Sequence, residues 1–101
     1  MFSNNNIYYF VNQKDGNLVI YEKKNNNNVP IWSWNTYNIN NNLPYKLYMQ
    51  PDANLVLYDT TWRVIWKSNT VKNNSVYSLL LTDLGKLNII DNSSNNIIWS
   101  T

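Results

Sequence analysis

Three stretches of this chain carry one pattern, and units that short cannot bury their own apolar faces, so the chain must fold by packing them against one another. The first runs from Tyr8 through Gln13, Asp15, Asn17, Val19 and Tyr21 to Ile31-Trp32. The second runs from Tyr45 through Gln50, Asp52, Asn54, Val56 and Tyr58 to Ile65-Trp66. The third runs from Tyr77 through Thr82, Leu84, Lys86, Asn88 and Ile90 to Ile98-Trp99. The repeats occupy about 7–37, 43–70 and 76–101 of a single domain over 1–101.

The repeating segments read as strands. They are short, rich in Tyr, Val, Ile, Leu and Trp, and separated by asparagine-rich connectors. No apolar stripe of helical period and useful length is present. The runs Asn25–Asn28, Asn38–Asn42, Asn73–Ser75 and Asn92–Asn96 read as loops by turn chemistry. The expected class is all-β, with three small antiparallel sheets around a pseudo-threefold axis. Alternation sends Leu18 and Ile20, Leu55 and Leu57, and Leu87 and Ile89 to one face, and Val19 and Tyr21 to the other. Trp32, Trp66 and Trp99 recur with the repeat and are expected to meet near the axis as core. Trp34 and Trp62 have no counterparts and stay open between surface contact and partner site.

Composition removes several functions. Net charge is +2, which gives no strong pull toward nucleic acid or anionic membrane. Cys and His are absent, so there is no disulfide, no thiolate metal site and no imidazole base or ligand. No apolar run approaches the ~20 residues of a membrane-spanning helix, so direct membrane insertion is not expected. The start, Met-Phe-Ser-Asn-Asn-Asn, has neither a basic nor an apolar leader region, and cytoplasmic residence is expected if it is the native start. Asn73-Asn74-Ser75 and Asn92-Ser93-Ser94 match glycosylation acceptors, but in so asparagine-rich a chain such triplets arise by accident.

The first two repeats share Q-x-D-x-N-x-V-x-Y without a substitution. As one straight strand this stretch would span ~26 Å, far more than a monosaccharide. If its residues serve one small ligand, the chain must fold back between them. Lys14-Asp15-Gly16-Asn17 and Pro51-Asp52-Ala53-Asn54 are strong turn tetrads. Pro51 suits the second position of a type I turn and Asp52 the third. Because alanine stands at 53 where glycine stands at 16, a positive φ is not expected there. A hairpin then gathers a carboxylate acceptor, two amides that both give and take, and a phenol, a set that matches adjacent sugar hydroxyls. Val19 or Val56 can cover a sugar C–H face.

The plain alternative is that Asp and Asn only build turns while Val and Tyr are ordinary strand residues. That does not explain the recurrence of Gln and Tyr at fixed offsets. The third repeat keeps the scaffold and the tryptophan but lacks the signature, so scaffold and signature look separable. A glycosidase would need two carboxylates roughly 5–10 Å apart about one bond, and Asp15 and Asp52 belong to equivalent places in different repeats. An Asp-x-Asn calcium site would gather too few oxygens. No enzyme activity, metal or cofactor is expected.

On the two signatures and the Ile-Trp that closes each repeat, the chain resembles the bulb-type mannose-binding lectins typified by the snowdrop agglutinin. The resemblance implies a β-prism II fold and metal-independent binding of mannose or mannose-rich glycans and glycoproteins. It implies that Asp15 and Asn17 contact the axial O2 hydroxyl, Gln13 contacts O3 and Tyr21 contacts O4, with Asp52, Asn54, Gln50 and Tyr58 doing the same in the second site. Val19 and Val56 would make the apolar contact, and the third site is degenerate. The missing cysteine pair and the short lead-in differ from plant members, and one sheet edge is expected to be incomplete. The family also implies a homodimer formed by exchange of the C-terminal strand, here Ile97–Thr101. The leaderless, asparagine-rich character is also similar to comitin-like proteins, which implies an alternative role as an interaction scaffold coupling vesicles or glycoproteins to the cytoskeleton.

Overall fold

The computed structural model describes residues 1–73 and 75–101. Asn74, in the middle of the Asn73-Asn74-Ser75 triplet, lies outside the described residues. The described chain is all-β. It forms nine strands: β1 (Tyr8–Asn12), β2 (Leu18–Lys24), β3 (Asn27–Ser33), β4 (Lys46–Met49), β5 (Leu55–Tyr58), β6 (Val64–Lys67), β7 (Tyr77–Leu81), β8 (Leu87–Asp91) and β9 (Asn96–Ser100). They make three separate antiparallel sheets, β1-β2-β3, β4-β5-β6 and β7-β8-β9, one per repeat. The third sheet meets the other two through β7, which lies against β1 and β4.

Two-residue alternation explains which side of each sheet is apolar. The cross-strand pairs Phe10↔Ile20, Leu47↔Leu57 and Leu79↔Ile89 face inward. Together with Leu18, Leu55 and Leu87 they form one shared core. Fully burying each such aliphatic side chain contributes about 1.5–3 kcal/mol. The pairs Val11↔Val19, Tyr48↔Val56 and Leu80↔Asn88 face the other way. Each sheet also has a register shift between its central and third strands, where Ile31, Ile65 and Ile98 are the extra residues facing Ile20/Tyr21, Leu57/Tyr58 and Ile89/Ile90. A bulge raises the local twist between the two strands, and in the first two repeats the central-strand residue that follows it is the signature tyrosine.

Four expectations are corrected. Trp32 is 46 % exposed, whereas Trp34 packs at the centre. Trp34 lies edge-on to Phe10 at 5.4 Å and to Trp66 at 5.9 Å, and stacks on Trp99 at 6.4 Å. The volume expected for Trp32 is already filled by the indole two residues further on. Trp66 and Trp99 do meet, at 5.6 Å. Asn27, Asn28 and Asn96 belong to strands rather than loops, because the hairpins continue to Lys24↔Asn27 and Asp91↔Asn96. The edge of the first sheet is partly covered by the chain's own start: Phe10 N donates to Met1 O at 2.9 Å, and Ser3 N to Tyr8 O at 3.0 Å.

The fourth correction concerns the turn between the first two strands of each sheet. Ala53 has φ 74, beside 90 for Gly16 and 78 for Gly85. The hydrogen bonds give the reason. Gly16 N donates to Gln13 O at 3.0 Å, Ala53 N to Gln50 O at 3.1 Å and Gly85 N to Thr82 O at 3.0 Å. The return bonds, Gln13 N to Asn17 O, Gln50 N to Asn54 O and Thr82 N to Lys86 O, lie at 2.8–3.0 Å. All three are type I turns followed by a left-handed residue, the geometry of a three-residue hairpin loop, whatever residue stands there. The turn tetrads are Gln13–Gly16 and Gln50–Ala53, which keeps Pro51 second and Asp52 third.

Candidate functional site

Each of the first two turns brings its five signature residues together on the outward face of one sheet, through two local networks. In the turn, Asp15 Oδ1 accepts from Asn17 N at 2.9 Å, and Asp52 Oδ1 accepts from Asn54 N at 3.0 Å. Across the hairpin, Gln13 Nε2 donates to Tyr21 Oη, and Gln50 Nε2 to Tyr58 Oη at 2.5 Å. The central strand and the turn therefore close on each other at the same two atoms in both repeats.

The asparagines are oriented by residues that nothing in the sequence marks as part of the site. Asn17 Oδ1 accepts from Ser33 Oγ at 3.1 Å and Thr36 N at 3.2 Å. Asn54 Oδ1 accepts from Ser68 Oγ at 3.2 Å and Thr70 N at 3.4 Å. Thr36 and Thr70 also donate their hydroxyls to Gly16 O at 2.7 Å and Ala53 O at 2.6 Å, bracing the turn from behind.

These bonds decide what each group has left to offer. Asp15 and Asp52 keep the second carboxylate oxygen as acceptor. Asn17 and Asn54 have committed their oxygens and present the amide nitrogen as donor. The tyrosines accept from glutamine and keep the hydroxyl proton to donate, while the glutamine carbonyl stays an acceptor. Gln13, Asp15, Asn17, Gln50 and Asp52 are partly exposed. Asn54 is buried at 8 %, and Val19 and Val56 are nearly sealed at 3 % and 2 %, forming a floor. The result is a shallow patch with alternating donors and acceptors over an apolar base.

The third turn is wired differently. Thr82 Oγ1 accepts from Lys86 N at 3.2 Å and Leu84 N at 3.3 Å, replacing the aspartate as the turn's acceptor. Leu84 stands 81 % exposed in the aspartate's place. Asn88 replaces the floor valine, buried with its Oδ1 unpartnered among the described residues. The signature is thus not a pure addition to the scaffold, since its Asp and Asn oxygens hold the turn and the third repeat needs a substitute. Among the described residues there is no group of three or more Asp or Glu side chains that could hold a metal ion.

No family model matches the chain. It is 37 % identical over 95 residues to a mannose-specific lectin of Aloe arborescens, covering 93 % of this chain and 78 % of that one. The chain belongs to the bulb-type mannose-specific lectin family. Its structure superposes on a monomeric monocot mannose-binding lectin from Gastrodia elata with TM-score 0.80 and 41 % identity, covering 93 % of this chain and 77 % of that one. It superposes on the snowdrop (Galanthus nivalis) mannose-specific agglutinin complexed with methyl-α-D-mannoside with TM-score 0.71 and 35 % identity, covering 82 % and 71 %. This bulb-type lectin therefore has the β-prism II fold, and it belongs among carbohydrate-binding proteins rather than enzymes.

The lectin's two patches differ at their rims. Tyr21 is stacked on Tyr9 at 5.1 Å. Tyr58 instead meets Tyr48 at 6.0 Å and Trp62 at 5.6 Å, both edge-on. Beside Tyr58 lies an open pocket of about 410 Å³ lined by Tyr48, Met49, Gln50, Pro51, Tyr58 and Trp62.

Proposed function

We propose that this lectin binds mannose, or the mannose ends of glycans and glycoproteins, without a metal ion, at two sites. The sites are Gln13, Asp15, Asn17, Val19 and Tyr21, and Gln50, Asp52, Asn54, Val56 and Tyr58. The observation that carries the proposal is the duplicated network. In both repeats the Gln–Tyr bond and the clamped Asn leave the same donors and acceptors free, and the third repeat lacks all of them. The Aloe relative is a mannose-specific lectin, and the snowdrop structure holds methyl-α-D-mannoside.

In this reading the free aspartate oxygen and the asparagine amide engage O2, glutamine engages O3, and the tyrosine hydroxyl donates to O4. The valine floor lies beneath the ring. Bonds to the carboxylate contribute ~1.5–3 kcal/mol and neutral ones ~0.5–1.5 kcal/mol. Set against the cost of fixing a ligand on a shallow surface, this gives a Kd on the order of 1 mM, about −4 kcal/mol. Two sites in one chain supply avidity toward branched glycans. Exchange of the C-terminal strand is not required for that, and the Gastrodia elata relative is monomeric. A glycan array run with and without a chelator tests the reading. Signal on mannose-terminated glycans in both conditions supports it, and a blank array, or signal that the chelator removes, contradicts it.

A further inference from the structure

The second site carries a feature that neither its fold nor its signature requires. Trp62 sits at φ 68 in the turn between β5 and β6, which is closed by Trp62 N donating to Asp59 O at 3.1 Å and Asp59 N to Arg63 O at 2.9 Å. That left-handed place suits Gly or Asn, and the matching turn of the third repeat uses Asn95 at φ 60. A bulky aromatic is strained there, and it is not compensated by burial, since Trp62 is 57 % exposed. It is nonetheless held in place by Tyr48 at 5.7 Å, Tyr58 at 5.6 Å and the Lys46 ammonium 5.3 Å from its ring centre. Tyr48 is likewise 42 % exposed, and its first-repeat counterpart, the partner of Val19, is only Val11.

A strained, exposed and fixed aromatic residue beside a binding patch points to a ligand. The open pocket is continuous with the second site, because Gln50 and Tyr58 line both. Its volume, about 410 Å³, lies in the range of small-molecule sites. Three of its six lining residues, Tyr48, Tyr58 and Trp62, are aromatic, and the negative quadrupole of an aromatic face attracts the electropositive C–H face of a pyranose.

We infer that Tyr48 and Trp62 form an aromatic subsite that takes the second sugar ring of an oligosaccharide whose terminal hexose occupies the Gln50–Tyr58 site. The inference rests on the site reading above, and it makes the two sites unequal. The second prefers a chain of sugars over a single ring, and the first does not.

The test compares methyl α-mannoside with a linear mannotriose by calorimetric titration, in an Asn17→Asp background that disables the first site. With Tyr48 and Trp62 intact, the trisaccharide binds roughly fivefold more tightly than the monosaccharide. It also shifts the Trp62 indole N–H resonance, which the monosaccharide leaves in place. Trp62→Gly, which relieves the backbone, and Tyr48→Val, which copies the first repeat, each bring the affinity ratio toward one. A ratio unchanged in both variants overturns the subsite. Absence of methyl α-mannoside binding with both aromatics intact overturns the site assignment beneath it, and the subsite with it.

Discussion

The ring of Tyr45, from the start of the second repeat, closes directly over Gly16 in the signature turn of the first. A Cβ built on Gly16 would lie 2.5 Å from Tyr45 Cε2. Tyr45 cannot easily withdraw, because it is buried and its hydroxyl is tied to the backbone of Asn40 at 2.9 and 3.1 Å. Tyr8 closes over Gly85 of the third repeat in the same way, with a built Cβ 2.9 Å from its ring. The turn that carries Asp15 and Asn17 is therefore fixed from outside its own repeat.

Gly16→Ala is expected to destabilise the protein by about 3 kcal/mol or more, combining the cost of a left-handed alanine with overpacking against Tyr45. Ala53 tolerates the same backbone in the second repeat, so the clash with the ring is the decisive part. Urea denaturation of the variant checks this, and a loss under about 1 kcal/mol would show that Tyr45 is free to move.

Asn88→Val is expected to stabilise the protein by about 1–3 kcal/mol, the cost of a buried polar atom left unpaired. It restores the valine found at 19 and 56. A midpoint in urea that rises without a change in slope is the expected result.

Asp59 is set to make stability fall in acid. Burial pushes its carboxyl up, but hydrogen bonds from the Thr61 hydroxyl, the Arg63 and Thr61 amides and the Asn40 side chain outweigh it and hold it well below the usual carboxylate range. A group whose folded pKa is depressed contributes stability that is complete above its unfolded value and lost as pH falls toward the folded one. Stability is therefore expected to be level near neutrality and to decline below about pH 4. Asp91 adds in the same direction, its carboxyl lowered by the Ser75 and Ser93 hydroxyls. Thermal denaturation against pH for wild type and Asp59→Asn checks this, since the variant loses part of the acid dependence.

Tyr21→Phe with Tyr58→Phe removes one hydroxyl from each site and leaves the stacked and edge-on rings in place. Mannoside affinity is expected to fall about five- to tenfold, the worth of a neutral hydrogen bond. The melting temperature, read on the same samples, is expected to stay close to that of the wild type.

The threefold plan, the strands and the inward aliphatic residues were legible in the sequence because period-two alternation and the repeat say the same thing. The gathering of each signature at a hairpin was legible from the turn residues. Three things were not. Ala53 conceals a left-handed turn, since that geometry is imposed by the hairpin's hydrogen bonds and not by its residue. Trp34 takes the central place because packing volume, which no spacing encodes, decides between two nearby indoles. The orientation of Asn17 and Asn54 depends on Ser33, Thr36, Ser68 and Thr70, which reach them across a strand.

Those clamped asparagines permit the most direct test. Asn17→Asp with Asn54→Asp keeps the oxygen that Ser33, Thr36, Ser68 and Thr70 bond and replaces the outward amide donor with a negatively charged acceptor. Calorimetric titration of the folded double variant with methyl α-mannoside is expected to show no binding at concentrations that saturate the wild type. Binding at wild-type affinity would contradict the account, because the sugar would then be held somewhere other than these two turns.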